Sequence, residues 1–312
     1  MEAIFLPNSK VHPWPFVSIV VPVYNRSQML GQCLYTLCRQ SYPKERYEII
    51  IVDDGSTDDS AEIAQSIGRE WAGSLRVIQQ ENHGPSSARN AGIFASQADY
   101  IAFTDSDCIP DLDWLRSLVL TLTATQSDGV GGPIANEAQR SWVADYLLAT
   151  HFFRHRERRG SIDYLLTANV IFKREALLAV QGFSRKKGVW GEDADLSFRL
   201  KQSGFILALS TQGQVTHYGA PGSFRRLIQD LYRYGRGNAI LSRHWSNQRT
   251  PPWELLRHSA AAMLAPIIAF RLIRTAGFIK ALSFLPLIVT EHLAFCCGLL
   301  RGIVSQEAWD EK

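Results

Sequence analysis

Asp105-Ser106-Asp107 stands directly after an apolar run, Ala98 to Thr104, which reads as a short buried strand bounded by polar residues. In an open α/β sheet, ligands collect outside the carboxyl ends of the strands. Two carboxylates on one side of an extended Asp-x-Asp can hold a hard divalent cation there. Such an ion keeps several waters and takes its remaining ligands from a diphosphate. The spacing itself is common, since Asp111/Asp113 and Asp193/Asp195 repeat it. Only the first pair follows a strand, with Pro110 as a breaker and a helical run from Asp111 behind it. A second acidic group, Glu192-Asp193-Ala194-Asp195, opens a helix after Gly191. Acidic residues there suit the helix dipole, so a charged first turn competes with a catalytic carboxylate. His217 follows the strand-like Gln214-Val215-Thr216 and is either structural or a metal ligand.

These groups need a scaffold, and the first hundred residues supply one. Val17 to Val23 has the pattern of a buried strand and ends in the polar loop Tyr24-Asn25-Arg26. A helix follows with Leu30, Cys33, Leu34, Leu37 and Cys38 on one face. Tyr47 to Val52 is a second strand, rich in β-branched residues. Strand, crossover helix and strand make a βαβ unit, so the two strands should be parallel. The second strand runs into Asp53 and Asp54, where a carboxylate can accept the N–H of a base or the hydroxyls of a ribose. Ser56 to Asp59 then read as a turn and cap for a helix from Ser60. Leu75 to Ile78 is a third strand. After it a helix of small residues carries Arg89, which could reach a phosphate or pack as a surface arginine.

Composition narrows the class. With 46% hydrophobic and 20% charged residues over 312 positions, the chain is globular rather than disordered. Cys33, Cys38, Cys108, Cys296 and Cys297 form no C-x-x-C and no zinc spacing, which points to reduced thiols and a cytosolic setting. Met1 to Pro15 contains no continuous apolar run, so no leader is expected there. No Gly-rich loop follows the first strand, which argues against a dehydrogenase and against nucleotidyl transfer.

Four segments in order and spacing, SIVVPVYNR, YEIIIVDDGSTDDS, ENHGPSSARNAG and ADYIAFTDSDCIP, resemble the N-terminal half of a family 2 glycosyltransferase of GT-A fold. The resemblance implies an α/β fold, a Rossmann-like, mostly parallel sheet flanked by helices. It implies a catalytic domain over residues 16–224, with a nucleotide-sugar half to about 110 and an acceptor half after it. The donor, most simply a UDP-sugar, would lie against Pro22, Tyr24, Arg26, Asp53, Asp54, Arg89, Asp105 and Ser106. Mg²⁺ or Mn²⁺ would sit at Asp105 and Asp107, with His217 where relatives carry a metal-binding histidine. Leu165 to Phe172, read as a strand, resembles the family's acceptor-side segment and places Asn169 there, with Trp190 beside it. Glu192-Asp193 looks like the family's Glu-Asp pair, in which the Asp is the general base and the Glu supports it. The Gln-x-x-Arg-Trp motif of processive members is missing, and the nearest stretch is Leu231 to Asn238. That implies transfer of a single sugar with inversion, to a glycan or lipid-linked acceptor. A sugar-nucleotide-binding paralogue without activity is the non-enzymatic alternative.

Residues 225–312 form a basic, apolar extension. From Arg225 to Lys280 there are ten Lys and Arg against Asp230 and Glu254. No nucleic-acid-binding motif accompanies them. The longest charge-free runs, 13 and 10 residues, fall short of the ~20 that a spanning helix needs. Basic residues interleaved with Phe270, Phe278, Phe284 and Phe295 suit a helical hairpin lying in the membrane interface. The expected location is therefore the cytoplasmic face of the cell membrane. A soluble helical cap or a dimer contact is the competing reading.

Overall fold

The structure, a computed structural model, describes residues 14–136, 141–150, 156–158, 161–184, 190–219, 223–246 and 252–305. The expectation about a leader in Met1 to Pro15 falls almost wholly outside them. The first half alternates strands and helices: β1 (Val17–Val23), α1 (Ser27–Leu37), β2 (Tyr47–Asp53), α2 (Ser60–Glu70), β3 (Ser74–Gln79), α3 (Pro85–Ala95) and β4 (Tyr100–Phe103). The chain continues with β5 (Cys108–Pro110), α4 (Trp114–Thr125), β6 (Gly129–Gly131), β7 (Ile134–Asn136), α5 (Trp142–Thr150), β8 (Arg156–Arg158) and β9 (Ser161–Tyr164). Next come β10 (Val170–Lys173), α6 (Arg174–Ala179), α7 (Glu192–Gln202), β11 (Leu207–Leu209) and β12 (Val215–His217). Five helices close the described chain: α8 (Phe224–Ser246), α9 (Pro252–Met263), α10 (Ala265–Ala276), α11 (Phe278–Ser283) and α12 (Leu285–Val304).

Seven strands form the main sheet in the order β11-β6-β10-β4-β1-β2-β3. Only β10 runs against the rest, pairing antiparallel with β4 and β6. Both faces of β1 and β2 are buried, which is why their sequences are near-continuous apolar runs. Val17, Ile19, Val21 and Val23 point to one side, where Leu30, Cys33, Leu34 and Leu37 of α1 and Trp114, Leu115 and Leu118 of α4 cover them. Val20, Ile50 and Val52 point to the other, under Ala88 and Ile93 of α3 and Leu196 and Leu200 of α7. At Gly92 a Cβ would run into the Val20 side chain, so glycine is what lets α3 lie so close to β1.

Two sequence expectations change here. Leu165 to Phe172 is not one strand: only Val170–Lys173 pairs, and the residues before it form a polar turn. Pro110 does not simply break the chain but ends β5 on an edge of a second sheet, β5-β12-β7. In that sheet His217 lies opposite Cys108.

The C-terminal helices have a core of their own. Val143, Tyr146 and Leu147 of α5, Leu227 and Leu231 of α8, Ala265 and Ala269 of α10, and Leu287 and Ile288 of α12 form it. The segment Phe278–Val304, 27 residues, is long and apolar enough to cross a membrane by length and composition. It tolerates Lys280, Glu291 and Arg301 at wide spacing, so counting charge-free runs understated it.

Candidate active site

The loops after β1 and β2 are stitched together by hydrogen bonds. Asn25, in left-handed backbone at φ 51°, accepts from Thr57 N at 2.8 Å and donates its own N–H to Ser56 Oγ at 3.0 Å. Ser27 N donates to Asp58 at 3.0 Å, so this carboxylate from the second loop satisfies the first turn of α1. It also accepts from Ser60 N at 3.1 Å at the start of α2. Burial pushes the Asp58 carboxyl up, but the hydrogen bonds from Ser60 and Ser27 outweigh it and hold the group at about 2. The pair Asp53-Asp54 divides in two. Asp53 is buried at the sheet end and uses one oxygen to accept from Ser56 N at 3.1 Å. Asp54 is equally buried and accepts from His83 N, Gly84 N and Gln80 Nε2 at 2.9, 2.8 and 2.6 Å.

Arg89 of α3 lies buried beneath the mouth of the sheet. It donates to Asp105 Oδ1 at 2.9 Å and to Glu192 Oε1 at 3.2 Å, joining the end of β4 to the start of α7. Burial works to discharge the guanidinium, but the charges of Asp105, Asp193 and Glu192 outweigh that and keep it protonated. The neighbouring Asn90 exchanges hydrogen bonds with the Phe183 backbone, 2.8 Å each way, so α3 also fixes the turn that leads to α7.

Beyond β4, the turn Asp105-Ser106-Asp107 is closed by Cys108 N donating to Asp105 O at 3.0 Å. Asp107 has His217 Nε2 at 3.6 Å on one oxygen and Arg26 Nε at 3.6 Å on the other. Asp107, Cys108 and His217 bring ligand-type atoms within 4.8 Å of one another. Burial, then the charges of Asp105 and Asp107, raise the Cys108 thiol well above its ordinary value. A Cβ on Gly219 would enter the space between Asp107 Oδ2 and His217 Nε2. Carboxylate oxygens, an imidazole and a small cradle kept open by a glycine fit a divalent ion such as Mg²⁺ or Mn²⁺.

The three acids that open α7 have different surroundings. Glu192 pairs with Arg89. Asp195 is fully buried and held by Arg199 at 2.7 Å and by Trp245 Nε1 at 3.1 Å. Asp193 accepts from Thr167 Oγ1 at 3.0 Å and Thr167 N at 3.3 Å. Burial, followed by the charges of Glu192 and Asp105, pushes its carboxyl up to about 7 against the opposing pull of Arg89 and Thr167. One carboxylate of the three is thus poised to exchange a proton near neutral pH.

The profile of glycosyl transferase family 2 matches residues 18–180, and that of glycosyl transferase family group 2 matches residues 100–303. The chain belongs to glycosyl transferase family 2. It is 28% identical over 301 residues to glycosyltransferase AglE of Haloferax volcanii, covering 92% of this chain and 94% of that protein. It is 31% identical over 200 residues to the beta-monoglucosyldiacylglycerol synthase of a Synechocystis strain, over 60% of this chain and 40% of that one. Among solved structures, the mannosyltransferase PcManGT of Pyrobaculum calidifontis aligns with a TM-score of 0.65 at 18% identity, over 94% of this chain and 88% of its own. Staphylococcus aureus TarS residues 1–349 align with a TM-score of 0.56 at 18% identity, over 92% and 91%. The fold is GT-A, and the protein is a glycosyltransferase that uses nucleotide sugars.

Within this family 2 glycosyltransferase, the structure gathers Asp105, Asp107, Arg26, Arg89, Glu192, Asp193 and His217 at the carboxyl end of the sheet. Pro22 and Ser106 line the same edge, and Tyr24 stands half exposed above it. Three of the expected site residues are engaged by the protein itself. Asn169 is fully buried, accepts from Trp114 Nε1 at 2.8 Å and donates to the carbonyls of Pro133 and Gly213 at 2.8 and 2.9 Å. Asp54 accepts from three protein donors. Arg89 pairs with the carboxylates of Asp105 and Glu192. Trp190 is half-buried, its ring edge-on to Tyr234 of α8 with centroids 4.7 Å apart.

Sequence reasoning missed Thr167, Gly219 and Tyr234. Thr167 and Asn169 interrupt an apolar run, and two polar residues inside a presumed buried strand were the available signal. Tyr234 comes from the extension, yet burial and then the charges of Asp230, Glu192 and Asp193 hold its phenol far above its ordinary value, which puts it beside the acids that open α7.

Proposed function

We propose that this chain is an inverting, divalent-metal-dependent glycosyltransferase that moves one sugar from a nucleoside-diphosphate sugar to an acceptor hydroxyl. The carrying observation is the Asp193 carboxyl, raised to about 7 and linked through Glu192 and Arg89 to Asp105. Asp53 lies where it can accept from the base or ribose, and Tyr24 where it can cover the nucleotide. Asp105, Asp107 and His217 would hold Mg²⁺ or Mn²⁺. When bound, the ion supplies positive charge against the leaving diphosphate. Asp193 accepts the proton of the acceptor hydroxyl, whose oxygen forms the new bond to the anomeric carbon as the bond to the phosphate oxygen breaks. Attack from the face opposite the leaving group inverts that carbon. Arg89 keeps its charge between the two carboxylate groups, so the donor and acceptor sides stay at a fixed separation.

The PcManGT structure holds GDP-mannose and Mn²⁺, and the TarS structure holds UDP-GlcNAc, which supports a nucleotide sugar with a divalent ion. A poly(ribitol-phosphate) beta-glucosyltransferase and a beta-monoglucosyldiacylglycerol synthase among the relatives support a cell-envelope glycan or lipid-linked acceptor at the cytoplasmic face of the membrane. UDP-sugars are the first donors to test, and residues 225–312 act as the membrane-associated extension of the catalytic domain at 16–224. The test is nucleotide release by the purified full-length chain over a panel of nucleotide sugars, with Mn²⁺ or Mg²⁺ and with EDTA. Release with one donor class, lost in EDTA and in Asp193→Asn, is the expected result. Full turnover in excess EDTA would overturn the metal assignment, and no release with any donor would overturn the activity.

A further inference from the structure

Helix α10 is apolar on both sides. Its inward stripe, Ala265 and Ala269 with Ile268 and Leu272 partly buried beside them, packs on the core of the C-terminal helices. Its outward stripe is large and apolar: Met263 at the preceding bend, then Leu264, Ile267 and Phe270, with Met263 74% and Phe270 73% exposed. A helix on a water-facing surface is polar on its outward side. The stripe follows helical spacing and ends in exposed Arg271 and Arg274. Helix α11 repeats the pattern, burying Ala281 and presenting Phe278, Ile279 and Leu282, with Ile279 83% exposed. An apolar patch of this extent marks an interaction surface.

Charge identifies the occupant. Between Leu255 and Thr290 the chain carries Arg257, Arg271, Arg274 and Lys280 and no Asp or Glu. The nearby acid is Asp145 of α5, paired with Lys280 at 2.8 Å. Large apolar side chains bordered by the exposed Arg271 and Arg274 match a bilayer that contains anionic lipid.

The packing also decides the mode of attachment. Helix α12 is apolar enough to span, but its glycines are seated on α8. A Cβ at Gly298 would run into the Tyr232 carbonyl, and one at Gly302 would sit 2.7 Å from the Arg236 carbonyl. Helix α8 bears Arg226, Asp230, Arg233 and Arg236 and packs at its far end on α7. Helix α12 cannot enter the hydrocarbon without carrying α8 with it or leaving it. Helices α9 and α10 meet at 72°, a bend that suits a hairpin in the plane of the interface rather than a straight span.

We propose that α10 and α11, with the bend before them, form an in-plane membrane-docking face for anionic bilayers, and that no helix of this unit spans the membrane. The inference deepens the membrane partner in the proposed function, but its test uses neither donor nor acceptor. The full-length chain is floated with vesicles of phosphatidylcholine alone and of phosphatidylcholine with about 30% phosphatidylglycerol, a charge on the order of a cell membrane's. Expected is binding to the anionic vesicles, falling about tenfold or more in Ile267→Ser/Phe270→Ser. Arg271→Gln/Arg274→Gln should cost roughly fivefold per charge on anionic vesicles and leave neutral ones unaffected. All four positions are on the surface, so an unchanged melting temperature separates lost docking from lost folding. Three results would overturn the proposal: no vesicle binding by the wild-type chain, a dimer abolished by Phe270→Ser in place of vesicle binding, or protein that resists carbonate extraction as a spanning helix does.

Discussion

Replacing Asp193 by asparagine should inactivate the enzyme and stabilise its fold, and the size of the second effect follows from the raised carboxyl. The folded carboxyl lies at about 7 against an ordinary value of 3.8. Below pH 4 the group is protonated in both states and contributes nothing. As pH rises from about 4 to 7 the unfolded chain releases this proton and the folded one holds it, so folding loses stability. Above 7 the loss is complete, about 4 kcal/mol at most. Asparagine is neutral throughout and escapes the penalty, but it accepts more weakly from Thr167 at 3.0 and 3.3 Å, which takes back ~1–2 kcal/mol. The variant should therefore match or fall below wild type at pH 5 and exceed it by about 2 kcal/mol at pH 8.5. At roughly 2 °C per kcal/mol that is several degrees between the two extremes of the comparison. Thermal melts of both proteins from pH 4.5 to 9, in chelator and without nucleotide, read the difference directly, since groups common to both cancel. Wild-type kcat/KM should rise through pH 7 over the same range, while Asp193→Asn falls ~10²–10⁴-fold and still binds nucleoside diphosphate. Parallel melting curves for the two proteins would refute the reasoning, because they would mean the Asp193 carboxylate is stabilised as an anion and is no base near neutral pH.

Other substitutions separate structure from chemistry. Asn169→Ala leaves Trp114 Nε1 and the carbonyls of Pro133 and Gly213 without their partner, and should cost about 2–4 kcal/mol in urea unfolding with acceptor KM unchanged. Gly219→Ala places a methyl between Asp107 and His217 and should raise the Mn²⁺ concentration for half-maximal nucleotide binding by about tenfold or more; an unchanged titration would put the ion elsewhere. Gly92→Val overpacks α3 against Val20 and should cost about 1–3 kcal/mol, read by denaturant midpoint.

The elements that could be read from sequence were those whose pattern is local. Strands β1 and β2 are buried on both faces, so their apolar runs could be bounded to within a residue. Strand β5 has three residues and exists because it pairs with β12 across more than a hundred positions, which leaves no periodicity to read, whereas β12 showed as the strand-like Gln214 to Thr216. The same distinction governs the site. Asp105 and Asp107 were legible because they follow a recognisable strand. The fate of Asp53 and Asp54 was not, since neighbours at a strand end point in opposite directions and only the fold says which side holds the His83-Gly84 loop. Arg89 finds its partners 16 and 103 residues away, and no local pattern distinguishes such an arginine from one that meets a phosphate.

The extension and the active site are closer to one object than the boundary near residue 224 suggests. Gly235 and Gly237 lie two positions apart on α8 and therefore face different neighbours. A Cβ at Gly235 would collide with the Phe295 carbonyl of α12, and one at Gly237 with the carbonyl of Trp190. Helix α8 is thus held at backbone distance on both sides, by the apolar unit on one and by the approach to Glu192 and Asp193 on the other. One residue before Gly235, Tyr234 meets the Trp190 ring and the field of Glu192 and Asp193. Close-packed contacts of this kind transmit displacement because they have no slack to absorb it. The contacts of α12 with α8 are thereby coupled to Trp190 and Tyr234, the two aromatic side chains beside Glu192 and Asp193.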